Sequence, residues 1–324
     1  MSEIRWSTNL IPFGLPIDRF ISSGYRKGYP VEKRIELASK IPGLTGVELH
    51  YPTMVNEDNI ERVKVTLSSC GLVCSIVTPS LSTETKWMYG ALSNPDKGLN
   101  RQAIQLVKHA MDMARELGAN AINLWPGLDG YDYPLQTHYL EFWNRLTESL
   151  LECADYDAKV KICLEYKSKE PRARVALSTV GKVLTVIHWL SKENVGCTLD
   201  VGHALMVGEN PAESAMLLHR EKKLFHLHLN DNYGDWDWDL IVGSIHQTEF
   251  LELFFWLEEI AYEGWYSLDQ YPRREDPQQA IALSRKNVQN LVDIASKLER
   301  QMLLEALKRQ DYVSVFNQLR TVMF

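Results

Sequence analysis

Short apolar runs alternate with amphipathic helical patterns along this chain of 324 residues, and the pair recurs eight times. The strand-like runs are residues 5–10, 46–51, 72–78, 121–125, 160–166, 196–201, 224–229 and 265–268. Helical periodicity follows each of them, over 31–41, 59–69, 101–117, 135–154, 180–190, 211–221, 249–261 and 278–298. Continuous apolar strands suit a parallel sheet covered on both faces. Eight such units predict an α/β fold, a (β/α)8 TIM barrel. The length would allow two domains, but barrels of this kind fill it as one. We therefore expect one barrel over 1–298. Residues 299–324 form a helical extension with apolar positions at intervals, among them Leu303, Leu307, Phe316 and Phe324. It would dock on the barrel or on a second subunit.

Four consecutive strands end in a group able to hold a cation: Glu165 on the fifth, Asp200 on the sixth, His228 on the seventh and Asp269 on the eighth. Functional groups of such barrels sit at the C-terminal strand ends. Charged groups are rarely buried there unless paired or ligating a metal. Three carboxylates packed together would repel, and a divalent cation removes that conflict. Mixed oxygen and imidazole donors suit Mn²⁺, Co²⁺ or Zn²⁺, with Mg²⁺ less comfortable. A second group lies beside the first. His203 follows Asp200 by three residues, and Asp237 and Asp239, two apart, would point the same way in an extended loop. Asp200 can bridge both groups, giving a pair of metals. Asp235 leaves the register open, since either adjacent aspartate pair could serve. His226 is expected to face away from His228 and to pack in the core or against a helix.

These residues carry a resemblance to the xylose isomerase-like sugar isomerases. Glu165-Tyr166-Lys167 with Glu170-Pro171-Arg172, Asn230 after His228, and Asp237-Trp238-Asp239-Leu240 all resemble that family's motifs. Asp at 200 and His at 228 are similar to the L-rhamnose isomerase branch. The resemblance implies that Glu165, Asp200, His228 and Asp269 hold one metal that grips the substrate. It implies that His203, Asp237 and Asp239, sharing Asp200, hold a catalytic one. Lys167 would stabilise charge on the substrate carbonyl, His50 would help to open the sugar ring, and Trp125 would cover one sugar face. His203 and Lys167 would also touch substrate. The implied reaction is aldose–ketose interconversion on a free small sugar: a pentose, a branched pentose such as D-apiose, or a deoxyhexose. The family also implies a homo-oligomer, dimer or tetramer.

A net charge of −7 argues against a nucleic-acid partner. It also weighs against an abasic-site endonuclease, a phosphodiesterase class sharing this barrel. A ketose 3-epimerase on the same scaffold is the nearer alternative, but that family lacks the paired-aspartate loop. The five cysteines show no paired zinc spacing and suit a reducing compartment. The N-terminus lacks an apolar signal core, and no run is long enough for a membrane span. A cytoplasmic location and no membrane partner are expected. Trp6, Trp87, Trp236 and Trp238 are further candidates for walls of a pocket.

Overall fold

The eight apolar runs are parallel strands that pair edge to edge until the last meets the first. The computed structural model describes residues 3–323. Met1, Ser2 and Phe324, the last an apolar position of the C-terminal extension, lie outside the described residues. The barrel strands are β1 (Arg5–Asn9), β2 (Gly46–Tyr51), β3 (Val73–Pro79), β4 (Ala121–Leu124), β5 (Lys161–Glu165), β6 (Val195–Asp200), β7 (Leu224–Leu229) and β8 (Trp265–Leu268). Thr8 of β1 lies opposite Leu268 of β8 and Val47 of β2, so no sheet edge is left. The α/β barrel expected from the strand–helix alternation is the fold observed.

Along each strand the side chains alternate in chemistry as well as in the face they point to. Val47, Leu49, Ile122, Leu124, Ile162, Leu164, Leu199, Leu227, Leu229 and Leu268 are fully buried. Most of the residues between them are polar, Cys163 excepted, and several meet across the barrel axis. Ser7 Oγ lies 2.6 Å from Ser75 Oγ, and Thr198 donates to Asn123 at 2.7 Å. Barrel interiors of this class are usually filled by branched aliphatic side chains. Here a hydrogen-bonded polar column runs along the axis towards the C-terminal mouth.

The helices are α1 (Val31–Ala38), α2 (Ile60–Ser69), α3 (Lys97–Glu116), α4 (Tyr139–Tyr156), α5 (Val180–Leu190), α6 (Val201–Met206), α7 (Pro211–Arg220), α8 (Gln247–Glu259), α9 (Pro277–Ala295), α10 (Arg300–Lys308) and α11 (Tyr312–Met323), and several depart from the periodicity at their ends. The helix expected over 101–117 is α3 (Lys97–Glu116), begun early because the Asp96 carboxylate accepts from the N–H groups of Gly98 and Leu99. The one expected over 135–154 is α4 (Tyr139–Tyr156), with the His138 side chain at its N-cap. A short helix, α6 (Val201–Met206), follows β6 without a break. Residues Gly130–Tyr131, Lys169–Glu170 and Ala173–Val175 pair as a small antiparallel sheet over the mouth. These pieces are too short to show a period. The terminal helices α10 (Arg300–Lys308) and α11 (Tyr312–Met323) reach the barrel through buried Leu303 and Ala306 and through Arg300, whose guanidinium pairs with Glu258 at 3.0 Å.

Candidate active site

Adjacent strands β5 to β8 bring Glu165, Asp200, His228 and Asp269 to one point, with one ligand atom of each within 4.8 Å of the others. His228 Nδ1 is the centre of the group. It stands 3.2 Å from Glu165 Oε1, 3.1 Å from Asp269 Oδ2 and 3.8 Å from Asp200 Oδ2. Neutral donors hold the carboxylates. Asn123 Nδ2 donates to Glu165 at 2.6 Å, Asn230 Nδ2 to Asp200 at 2.9 Å, and Asn9 Nδ2 to Asp269. Asp200 Oδ1 also accepts the backbone N–H of His203 at 2.8 Å, capping α6. That bond places His203 one turn above the strand end. Gly202 is required in this turn, because a Cβ there would come 1.9 Å from Asn230 Oδ1.

The second group is placed by a loop rather than a strand. Asp231 and Leu240 exchange backbone hydrogen bonds of 3.1 and 2.8 Å, which closes the segment between them into a tight arch. Asp239 turns in the left-handed region, φ 51°, and its carbonyl accepts from the Tyr271 N–H at 3.1 Å. The loop is therefore folded back, not extended as the spacing suggested. Asp237 and Asp239 nonetheless both line the cavity. Asp235 is exposed and accepts from Trp238 Nε1 at 2.7 Å. His203 stands between the two groups, with Nε2 3.3 Å from Asp237 Oδ2 and Nδ1 3.5 Å from Glu165 Oε1. Lys167 Nζ lies 2.8 Å from Asp237 Oδ2, pairs also with Glu170, and sits 5.3 Å from the centre of the Trp125 ring. Gly127 admits that ring, since a Cβ there would meet it at 2.3 Å.

The cavity enclosed by these groups, His50 included, measures about 230 Å³. That is below the usual range for ligand pockets, about 300–1,000 Å³, and limits an occupant to a small molecule.

The site carries more acid than its own cations can balance. Burial, with Glu165 and Asp237 nearby, pushes Asp200 up to about 7 against the pull of His203 and His228. Burial with Asp237 and Asp269 holds Asp239 well above the carboxylate range. Burial would also raise Glu165, but His228, then His203 and Asn123, keep it at about 2. Burial would lower His203, yet Asp200 and Asp237 hold it up at about 9. Lys167 stays charged for the same reason, its burial outweighed by Asp237 and Glu170. Two buried atoms facing this cluster, His203 Nδ1 and Asp237 Oδ1, have no hydrogen-bond partner among the described residues. Surplus carboxylates, a raised imidazole and unpartnered buried donor atoms together fit a divalent cation.

Two readings of the sequence change. His226 does not face away from His228. Residues two apart on a strand share a face, and both imidazoles enter the barrel axis, their rings 5.2 Å apart. Trp6 and Trp87 are core residues outside this cavity, and Trp238 packs against Tyr233 on the exposed loop. One central residue belongs to none of the sequence motifs. Glu48, 1% exposed, receives both imidazoles and the Ser267 hydroxyl. Its signal was a carboxylate in mid-strand, two before His50 on the same face.

A closed parallel barrel whose C-terminal mouth gathers carboxylates and imidazoles around one small cavity defines the class. Residues 35–291 match the xylose isomerase-like TIM barrel family, and the chain belongs to that family. The xylose isomerase of Thermus thermophilus is 29% identical over 267 residues, 78% of this chain and 68% of its own length. Among solved structures, a D-tagatose 3-epimerase-like protein superposes with a TM-score of 0.69 at 21% identity, over 91% of this chain and 99% of its own. An L-ribulose 3-epimerase gives 0.68 at 16% identity, over 91% and 96%. At these identities the two structures speak to the fold alone.

Proposed function

We propose that this protein is a metal-dependent aldose–ketose isomerase, an intramolecular oxidoreductase acting on a free small sugar. The observation that carries the reading is Lys167, a buried ammonium held 2.8 Å from Asp237 beside the Glu165–Asp200–His228–Asp269 quartet. Glu165, Asp200, His228 and Asp269 would hold one cation. His203, Asp237 and Asp239, with Asp200 shared, would hold a second. Mn²⁺ or Co²⁺ best suits the donors, with Mg²⁺ and Zn²⁺ as alternatives, and such cations supply Lewis-acid polarisation of the sugar oxygens at C1 and C2.

The chain's own residues do the rest. Lys167 points its charge where negative charge develops on the carbonyl oxygen, the kind of preorganised donor that lowers a barrier most. Trp125 offers an apolar face to the C–H side of a sugar. His50 lines the same cavity, and burial lowers its pKa, so it is a neutral imidazole able to take or give a proton at the ring oxygen. The cavity volume favours a pentose, a branched pentose such as D-apiose, or a deoxyhexose over longer saccharides.

The first quartet taken alone would also serve a ketose 3-epimerase. Lys167 and the second acidic group favour the isomerase. The two reactions differ in the fate of a carbon-bound hydrogen. The chelated and Mn²⁺-reloaded protein, incubated in D₂O with panels of aldoses and of ketoses, should turn aldose into ketose by a hydride shift that keeps the substrate hydrogen. Ketose-to-ketose conversion with deuterium entering at C3 would establish the epimerase instead.

A further inference from the structure

Glu48 lies on β2 at the barrel axis, below the metal-competent quartet. One oxygen, Oε1, receives three donors from two other strands: His226 Nε2 at 2.9 Å, His228 Nε2 at 3.2 Å and Ser267 Oγ at 2.5 Å. A neutral imidazole carries hydrogen on one nitrogen only. Carboxylates face both nitrogens of His228, Glu48 at Nε2 and Glu165 with Asp269 at Nδ1. A cation bound among the latter would take the Nδ1 lone pair, and Glu48 would hold the remaining hydrogen on Nε2. In His228 that Nδ1 is the atom facing Glu165, Asp200 and Asp269, at 3.1 to 3.8 Å.

We propose that Glu48 is the positioning residue for cation binding at the barrel mouth, holding His228 as the Nε2–H tautomer with Nδ1 aimed at the ion. The assignment rests on the metal reading of the site given above. Glu48 is itself immobilised. Ser267 and His226 fix the same oxygen from β8 and β7, and the His226 ring meets the His228 ring edge-on at 81°. Three strands therefore set one ring plane. No Lys or Arg lies within ion-pair distance of Glu48 among the described residues, so its partners are these two imidazoles and a hydroxyl. A carboxylate behind a ligating histidine orients the ring and raises its basicity, and losing such a partner costs roughly 10–100-fold in metal affinity. His226 has the complementary part: its ring meets His228 edge-on and its Nε2 steadies Glu48 from below.

The test compares the full-length wild type with Glu48→Gln, both stripped by chelation and titrated calorimetrically with Mn²⁺ and with Co²⁺. Gln keeps the size and one acceptor but loses the charge. The expected result is a Kd raised about 10- to 100-fold, with an altered visible spectrum of the Co²⁺-loaded protein. Unchanged Kd and spectrum overturn the proposal. A lowered melting temperature with unchanged Kd also overturns it, since that is the mark of a purely structural role. Should Glu48→Gln not fold, Ser267→Ala removes one of the three donors. It should weaken Mn²⁺ binding in the same direction by less, and an unchanged Kd there overturns the proposal too. A wild-type chain that binds neither ion overturns both this inference and the proposed function. Wild-type binding with unaffected variants overturns this inference alone.

Discussion

Lys167 Nζ lies 2.8 Å from a carboxylate oxygen of Asp237, with 8% and 10% of the two side chains exposed. The pair joins β5 to the loop after β7. It keeps a full positive charge inside a cavity rich in carboxylates. Burial of an unpaired ammonium would lower its pKa steeply, and Asp237 with Glu170 prevents that.

Lys167→Met tests the carbonyl-stabilising role. Turnover should fall about 10²–10³-fold, the loss typical of one preorganised charge-stabilising donor. Mn²⁺ affinity should hold or rise, because Asp237 loses a competing ammonium. Wild-type kcat in this variant would refute the assignment.

Cation binding should release protons. Without a cation, His203 is held at about 9 and Asp200 at about 7, both above their ordinary values of 6.5 and 3.8. Both therefore carry protons near neutrality, His203 almost fully and Asp200 in part, and a cation must displace them. Affinity should rise with pH through the window from 7 to 9. Calorimetry at pH 7 in two buffers of different ionisation enthalpy should show net release. Zero release or uptake would contradict the proposed ligand roles of His203 and Asp200.

Asn9→Ala removes the amide that holds the outer oxygen of Asp269. The freed carboxylate gains rotamers that must be lost again on binding. Mn²⁺ affinity should drop roughly 10–100-fold, as for other partners of ligating groups. Asp269→Asn, which removes a ligand's charge, should cost more. An order reversed between the two variants would move Asp269 out of the ligand set.

Gly202→Ala places a methyl 1.9 Å from Asn230 Oδ1 and 3.0 Å from Asn232 Nδ2. Overpacking of this kind costs about 1–3 kcal/mol, a fall in melting temperature of a few degrees or more for a large domain. It should also free Asp200 from Asn230 and weaken Mn²⁺ binding. Gly181→Ala is the control: its new Cβ would meet nothing closer than 3.9 Å, and it should melt no lower than the wild type.

Much of this architecture is legible in the chain. Eight apolar runs spaced by amphipathic helices leave few folds other than a closed parallel barrel. A carboxylate or imidazole at the end of four consecutive strands says which mouth carries the chemistry. Those are local properties: alternation along a strand, and the residue at which an apolar run stops. The sequence does not single out Glu48, and His226 is misplaced from it, because their significance is not local. In mid-strand each looks like an odd polar residue. Only closure brings β2 against the inward faces of β7 and β8, where Glu48 meets His226, His228 and Ser267.

The loop after β7 makes the same point. Three aspartates at alternate positions are equivalent in an extended segment. The Asp231–Leu240 backbone pair and the left-handed turn at Asp239 break the equivalence, sending Asp235 to solvent and Asp237 and Asp239 into the cavity. Strand identity and donor chemistry follow from short-range periodicity, which the order of residues records. Which donors share the volume of one ion depends on contacts between residues far apart in sequence, and those exist once the barrel has closed.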